Sequence, residues 1–340
     1  MFALFIFTNG IFLGILLLIK RSELKNANVF MALFLISLSL ELAPDLFEEE
    51  DLLVPETSFF TVPLLYLYVQ RILKDQLKPL LWLWLIPGLL VNGLGFFVGD
   101  EAPSLWMVLL VVIPLYGLNL YLLFSLQKQI NSHSLALKSQ FTSIENRTLQ
   151  WVKGLVWIFL VFHFVWILDD GLLLASVDYP ILATLAELLT LVSVFWVGYF
   201  GLGQRASVMA STTEKDTVSP SLSNEADKSA FKTVLQQIEE HKLYLNQELT
   251  LRLLAQQVKV NEKKLSSWIN QYTERNFYQL INQYRVDEFK RQLTLPENQN
   301  YSLLGVAQNS GFRNKSTFYK VFKELEGFTP NDYKKGLNQA

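Results

Sequence analysis

Two stretches near the C-terminal end carry cations and hydroxyls at helical spacing. In "NEKKLSSWINQY" (261–272), Lys263, Lys264, Ser267 and Gln271 fall off the apolar stripe made by Leu265, Trp268 and Ile269. In "GFRNKSTFYKVFKELEG" (311–327), Arg313, Lys315, Ser316, Thr317, Tyr319, Lys320 and Lys323 fall off a second stripe. That stripe is Phe318, Val321, Phe322 and Leu325, at i, i+3, i+4 and i+7. Ammonium, guanidinium and hydroxyl groups gathered on one face suit phosphate oxygens and base edges. The side chains for covalent or metal chemistry are not assembled. There is no cysteine, and His133, His163 and His241 are far apart in sequence. No catalytic triad, metal motif or phosphate-cradling loop is present either, so neither catalysis, a metal nor a cofactor is expected.

Each basic stretch needs a short helix before it and a tight turn between. Leu253 and Leu254 predict one such helix, ending near Gln257, and Asn261 can cap the next by accepting a free backbone N–H. Leu303, Leu304, Val306 and Ala307 predict the other. Gly311 supplies a left-handed turn residue, Phe312 plugs the core, and Asn314 takes the cap position. Helix, turn and helix with a basic outer face is a helix-turn-helix, whose second helix enters the DNA major groove. Ala255-Gln256 and Ala307-Gln308 occupy matching places, a weak internal repeat, and 276–293 reads as one helix joining the copies. Upstream, Phe231, Val234, Leu235 and Ile238 form a helical stripe. Core packing is the expected role, and a short seam between two copies in a homodimer is the sharper alternative.

The first two hundred residues are of another kind. Half of the whole chain is hydrophobic and its mean hydropathy is +0.26, above the usual range of soluble domains. Apolar runs near the ~20 residues that cross a bilayer recur at about 1–19, 27–47, 57–73, 79–99, 104–126, 151–169 and 180–202. The third is short and contains Pro63. The first lacks a basic leader and a small-residue cleavage site, and so reads as retained. Lys and Arg follow the first, third, fifth and seventh runs. The alternate loops 45–56, 99–103 and 169–179 contain neither. Positive loops stay in the cytoplasm, so the pattern predicts seven spans, the N-terminus outside and the C-terminal half inside the cytoplasmic (inner) membrane. Gly88, Gly93, Gly95 and Gly99 fall in one run, where close helix packing is the usual reason for glycine.

Asn9, Glu41, Asn92, His163 and Glu187 interrupt five different runs. Each lies at a similar depth, roughly 8–12 Å below the outer surface at 1.5 Å per residue. Ionisable groups in lipid normally face a bundle interior or a cavity. Glu41, Asn92, His163 and Glu187 are therefore candidates for binding a small-molecule or protein signal. Interhelical hydrogen bonding is the plainer role.

Composition changes after Gly203. "ASVMASTTEKDTVSPSLSNEAD" (206–227) is polar, Ser/Thr-rich and aperiodic, the signature of a flexible tether spanning roughly 25 Å. Beyond residue 205 bases outnumber acids, 18 to 15, whereas acids lead before it, 16 to 11. The fold class expected is all-α: a seven-helix transmembrane domain (1–205), the linker (206–227) and an all-helical domain with two helix-turn-helix units (228–340).

The last hundred residues resemble the DNA-binding domain of AraC/XylS-type transcription regulators. The matching positions are Leu249-Thr250-Leu251, Leu254-Ala255, Leu265-Ser266, Ile269-Asn270, Asn276-Phe277, Tyr284-Arg285-Val286, Ala307, Gly311-Phe312, Ser316-Thr317-Phe318, Phe322-Lys323, Gly327, Thr329-Pro330 and Tyr333. The layout, with "VPLLYLYVQ" (62–70), resembles the subgroup that carries a multi-span membrane domain in place of a soluble sensor. The resemblance implies two recognition helices in successive major grooves of double-stranded DNA. It implies base contacts from Lys263 and Ser267 in the first unit and from Ser316, Thr317 and Lys320 in the second. Lys264, Arg313, Lys315 and Lys323 are then assigned to phosphates. The small pair Ser266-Ser267 departs from commoner members and suggests that the first reader adds affinity more than specificity. The function expected is a membrane-embedded one-component transcription regulator. The competing readings are a transporter or membrane enzyme whose helical domain only regulates it, and a DNA binder with a mere anchor.

Overall fold

The computed structural model describes residues 2–20, 25–43, 46, 57–74, 76–98, 108–142, 144, 149–174, 179–203, 225–298 and 300–337. Among these the protein is all-helical; its β-type pairing is an isolated antiparallel bridge between Phe141 and Thr250. The chain forms two compact units. One comprises residues 1–132 and 149–209, and the other 133–148 and 210–340. The second unit therefore takes in a segment of the expected membrane domain, and the chain passes between units three times. Of the expected tether, residues up to 224 lie outside those described, while Glu225–Asp227 already form the first turn of a helix.

The first unit contains α1 (Phe2–Ile19), α2 (Lys25–Leu40), α3 (Ser58–Leu73) and α4 (Ile86–Val98), the last preceded by a 3-10 stretch, Pro79–Leu85. It continues with α5 (Ile113–Lys138, entered through a π turn at Val108–Val112), α6 (Gln150–Leu174) and α7 (Pro180–Gly203). α2 packs between α1 and α3, and α7 lies against α1, α2 and α6. Two glycines let α1 approach α2. A Cβ on Gly10 would sit 1.9 Å from Ser39 Oγ, and one on Gly14 would meet the Ala32 carbonyl at 3.2 Å. Gly10 and Gly14 are four apart, the spacing that brings backbones together between helices in lipid. Gly88 similarly receives Phe60, but Gly93 faces open space.

Among the described residues, four helical stretches are long and apolar enough to cross a membrane: Phe2–Ile19, Leu110–Lys138, Gln150–Asp169 and Pro180–Leu202. The other three, Asn26–Leu40, Ser58–Leu73 and Pro79–Gly93, are apolar but shorter. α2 stops at Leu40, where the bonds tighten to Leu42 N–H→Ser39 O and Ala43 N–H→Leu40 O, so the expected run 27–47 is helical only in part. Pro63 does not break α3.

In the second unit, α8 (Glu225–Glu240) leads through a 3-10 turn (Leu243–Leu245) to α9 (Leu251–Gln257) and α10 (Glu262–Thr273). The connecting helix α11 (Phe277–Leu293) starts with a capping box between Asn276 and Gln279. Then follow α12 (Leu303–Asn309), α13 (Lys315–Glu326) and α14 (Pro330–Leu337). Two apolar cores result. Phe231, Val234, Ile238, Leu249, Leu254, Leu265, Trp268 and Ile269 share the first with one face of α11; Val286, Phe289, Val306, Phe312, Phe318 and Phe322 build the second. On α8, Phe231, Val234 and Ile238 are buried in the core of their own unit, with Leu235 partly buried against it.

Candidate nucleic-acid interface

The first helix-turn-helix is fixed at its ends by short polar side chains. Thr250 Oγ1 accepts from Leu253 N–H at 3.2 Å and starts α9. The turn after α9 places Lys259 at φ +54°, a left-handed conformation carried by a non-glycine residue. Asn261 Oδ1 then accepts from the N–H groups of Lys263 (3.0 Å) and Lys264 (3.4 Å), starting α10. With Leu265, Trp268 and Ile269 buried, Lys263 and Lys264 lie exposed and Ser267 half-exposed on the outer side. Lys264 is already engaged: its Nζ is 3.0 Å from Asp227 Oδ1 and 4.8 Å from the centroid of Trp268. That pair braces α8 against α10, so a phosphate must compete with Asp227 for this cation.

In the second unit Ser302 Oγ accepts from Gly305 N–H at 3.1 Å and starts α12. Gly311 turns the chain at φ +93°, where a Cβ would lie 2.5 Å from the Tyr244 carbonyl oxygen and 3.0 Å from Arg285 Nε. Asn314 occupies the cap position of α13 without a side-chain bond to its first turn. Arg313, Lys315, Ser316, Lys320 and Lys323 are exposed. Arg313 pairs with Glu248, and Lys315 Nζ lies 5.6 Å from the ring centroid of Tyr319.

Two placements differ from the sequence expectation. Thr317 is only 2% exposed and faces the core, so it offers no hydroxyl to a base in this arrangement. Leu325, expected inside, is 37% exposed. Both sit at the margins of the stripe, where a helical projection cannot separate the last buried position from the first exposed one.

Arg285 carries a role that pattern matching alone did not supply. Its side chain is 1% exposed, yet all its bonds go to uncharged oxygens: Tyr244 O and Asn246 O, each at 2.8 Å, and Asn282 Oδ1 at 3.3 Å. Burial lowers its pKa to about 10, still charged at neutral pH. The guanidinium thus locks the 244–246 turn onto α11, against the backbone of Gly311. Beside it, Arg291 gives Glu288 two bonds, 2.8 and 2.6 Å, and holds that carboxyl at about 2.

The segment 133–148 is the other feature missed. Leu137 (0% exposed) and Ile144 (4%) belong to the second core, with Phe141 packed against it. Leu251 N–H donates to Gln140 O at 2.9 Å, Thr142 Oγ1 to Leu249 O at 3.0 Å, and Asn282 Nδ2 to Thr142 O at 3.2 Å. The signal was present: Leu137, Phe141 and Ile144 are spaced i, i+4, i+7.

The polar residues of the first unit mostly bond locally. Asn9 and Asn92 donate to the carbonyls of Phe5 (2.7 Å) and Gly88 (2.8 Å), four residues back. His163 Nδ1 is 2.8 Å from Phe159 O, and its ring packs among Tyr116, Phe159 and Phe162. Glu41 accepts from Thr61 Oγ1 at 2.7 Å and joins a network with Ser37 and Thr57 between α2 and α3. Glu187 is half-buried on α7. Among the described residues no group of three or more His, Cys, Asp or Glu is placed to hold a metal ion.

The family model for the AraC-type helix-turn-helix, described as a helix-turn-helix domain, matches residues 254–336. The match runs from within α9 to within α14, takes in both helix-turn-helix motifs of the second compact unit, and supports an AraC-type DNA-binding domain over that minority of the chain. No curated protein and no solved structure matches the chain.

Proposed function

We propose that this protein is a transcription regulator embedded in the cytoplasmic membrane, with sensing and sequence-specific DNA binding in one chain. The observation that carries the reading is the joining of an AraC-type domain (254–336) to a unit with four helices of membrane-crossing length and apolarity. Apolar side chains on that unit point outward as well as inward; Phe12, Leu110, Phe164 and Tyr199 are each more than half exposed. Such a surface suits lipid. The three shorter helices complete a seven-span topology with the N-terminus outside. Laid end to end, the 3-10 stretch 79–85 and α4 reach roughly 33 Å at about 2.0 and 1.5 Å per residue. The missing positive charge in alternate loops supports this orientation.

In this reading Ser316 and Lys320 meet base edges in the second unit, and Lys263 and Ser267 in the first. Lys315, Lys323, Arg313 and Lys264 meet phosphates, the last two after leaving Glu248 and Asp227. Seven spans exceed what an anchor needs, which favours a sensor, with Glu41 and Glu187 as the groups that respond. The test is to map DNA bound in cells by the full chain and by a chain ending at residue 227. Discrete sites that vanish with the truncation are expected. Identical maps would overturn the reading.

A further inference from the structure

Segment 133–148 touches both halves of the DNA-binding unit. Its backbone and Thr142 bond to Leu249 and Leu251, which are buried in the first core. Its side chains Leu137 and Ile144 are buried in the second core. Between them, Asn282 of α11 donates to Thr142 O, and Lys138 Nζ lies 5.8 Å from the ring centroid of Tyr278. The helices α8 to α14 of this unit follow one another directly in sequence, but Thr142 of this segment meets Leu249 and Asn282 from 107 and 140 residues upstream. It is the end of α5 and the link to α6.

We propose that segment 133–148 is a staple that holds the two helix-turn-helix units at one spacing, so that α5 and α6 determine which DNA sites the chain can grip. The physical reason is geometric. Two linked readers gain from each other only when their separation matches that of the two half-sites. A crosspiece bonded to the first reader and buried in the core of the second fixes that separation. Its first residues, up to Lys138, are the last turns of α5, so a movement of that helix acts on the crosspiece directly. The inference rests on the DNA-binding reading above.

The docking is tested without DNA. The chain has no cysteine, so a Phe141→Cys/Thr250→Cys pair in the full chain, kept at one chain per nanodisc, can form only its own disulfide. Leu251 N–H→Gln140 O brackets that pair, the arrangement in which facing Cα atoms come closest, about 4.5 Å. With a protease site inserted in 206–227, the cut fragments of the oxidised protein in lipid nanodiscs should stay joined until reduced. Fragments that separate without reductant overturn the docking. For the role, duplexes are selected from a random pool on the parent chain. Ile144→Asp with Thr142→Val should lower affinity at least about tenfold for duplexes with two half-sites. It should change little when one half-site is destroyed, and the oxidised cysteine pair should restore the loss. An equal loss on both kinds of duplex, or none on either, overturns the staple. A parent chain that selects no duplex overturns the DNA-binding reading and the staple's role together, leaving the crosslink to judge docking alone.

Discussion

Lys320 and Lys315 sit on the same helix and should behave differently. Lys320 lies mid-helix with its side chain exposed, so Lys320→Ala should cost about 1–3 kcal/mol and relax choice at one or two base pairs. Lys315 stands at the helix start against Tyr319, and Lys315→Ala should weaken all sequences alike and lower the salt slope by roughly one. Anisotropy titrations of the full chain over a salt series separate the two; unchanged affinity and base preference in Lys320→Ala would misplace the second reader. Glu288 makes a pH prediction. Its folded pKa, about 2, is below the ordinary 4.5, so its contribution to stability is complete above pH 4.5 and is lost as pH falls toward 2. Glu288→Gln should flatten that dependence and cost roughly 1–3 kcal/mol at neutral pH, read as faster hydrogen exchange in α11. The buried stripes of α10 and α13 were legible because Trp268, Phe318 and Phe322 are large and regularly spaced. Thr317 was not, because a small hydroxyl beside Phe318 is compatible with either face. The Arg285 contacts were illegible for a different reason: the two shorter ones run to backbone oxygens, which leave no trace in side-chain identity.

The turns and caps carry much of the element-scale information. Gly311 was readable from the short run between two helical patterns, and both its φ of +93° and the neighbouring Tyr244 carbonyl demand glycine. Gly311→Ala should therefore destabilise the second unit by at least about 2 kcal/mol, since left-handed strain and a backbone clash add. Thermal unfolding would show it, and a variant as stable as the parent would mean the turn is placed wrongly. Asn261 does cap α10 as its position suggested, whereas Asn314 takes the cap position of α13 without a side-chain cap bond. α2 stops short of the apolar run that announced it, and α4 opens as a 3-10 stretch, because hydropathy reports the tolerance of a segment for lipid and not the form or the end of its hydrogen-bond ladder. The segment 133–148 went unread because a few apolar residues among polar ones resemble any polar loop until their partners are in place.

At the scale of the whole molecule, the sensing role is the most exposed to test. Glu41→Gln and Glu187→Gln keep shape and remove charge. At unchanged membrane abundance they should lock a reporter on or off. Variants that respond like the parent across external pH would dismiss the carboxylates as sensors. About ten Gly/Ser residues added within 206–227 should change output only modestly, because the tether is one of three passages between the units. Complete loss at normal protein level would instead require a continuous helical connection there. The three passages also constrain biosynthesis. Thr142 leaves the ribosome long before its partners Leu249 and Asn282, 107 and 140 residues later. Contacts so distant in sequence close late. The second core cannot finish until α6 and α7 have been made and the C-terminal helices have emerged, so assembly of the reading domain must wait for the neighbouring helices to be synthesised. A protease cutting in 206–227 would not free a complete helix-turn-helix domain either; it would yield a fragment without Leu137, Phe141 and Ile144, leaving part of its own interior behind in the N-terminal remainder.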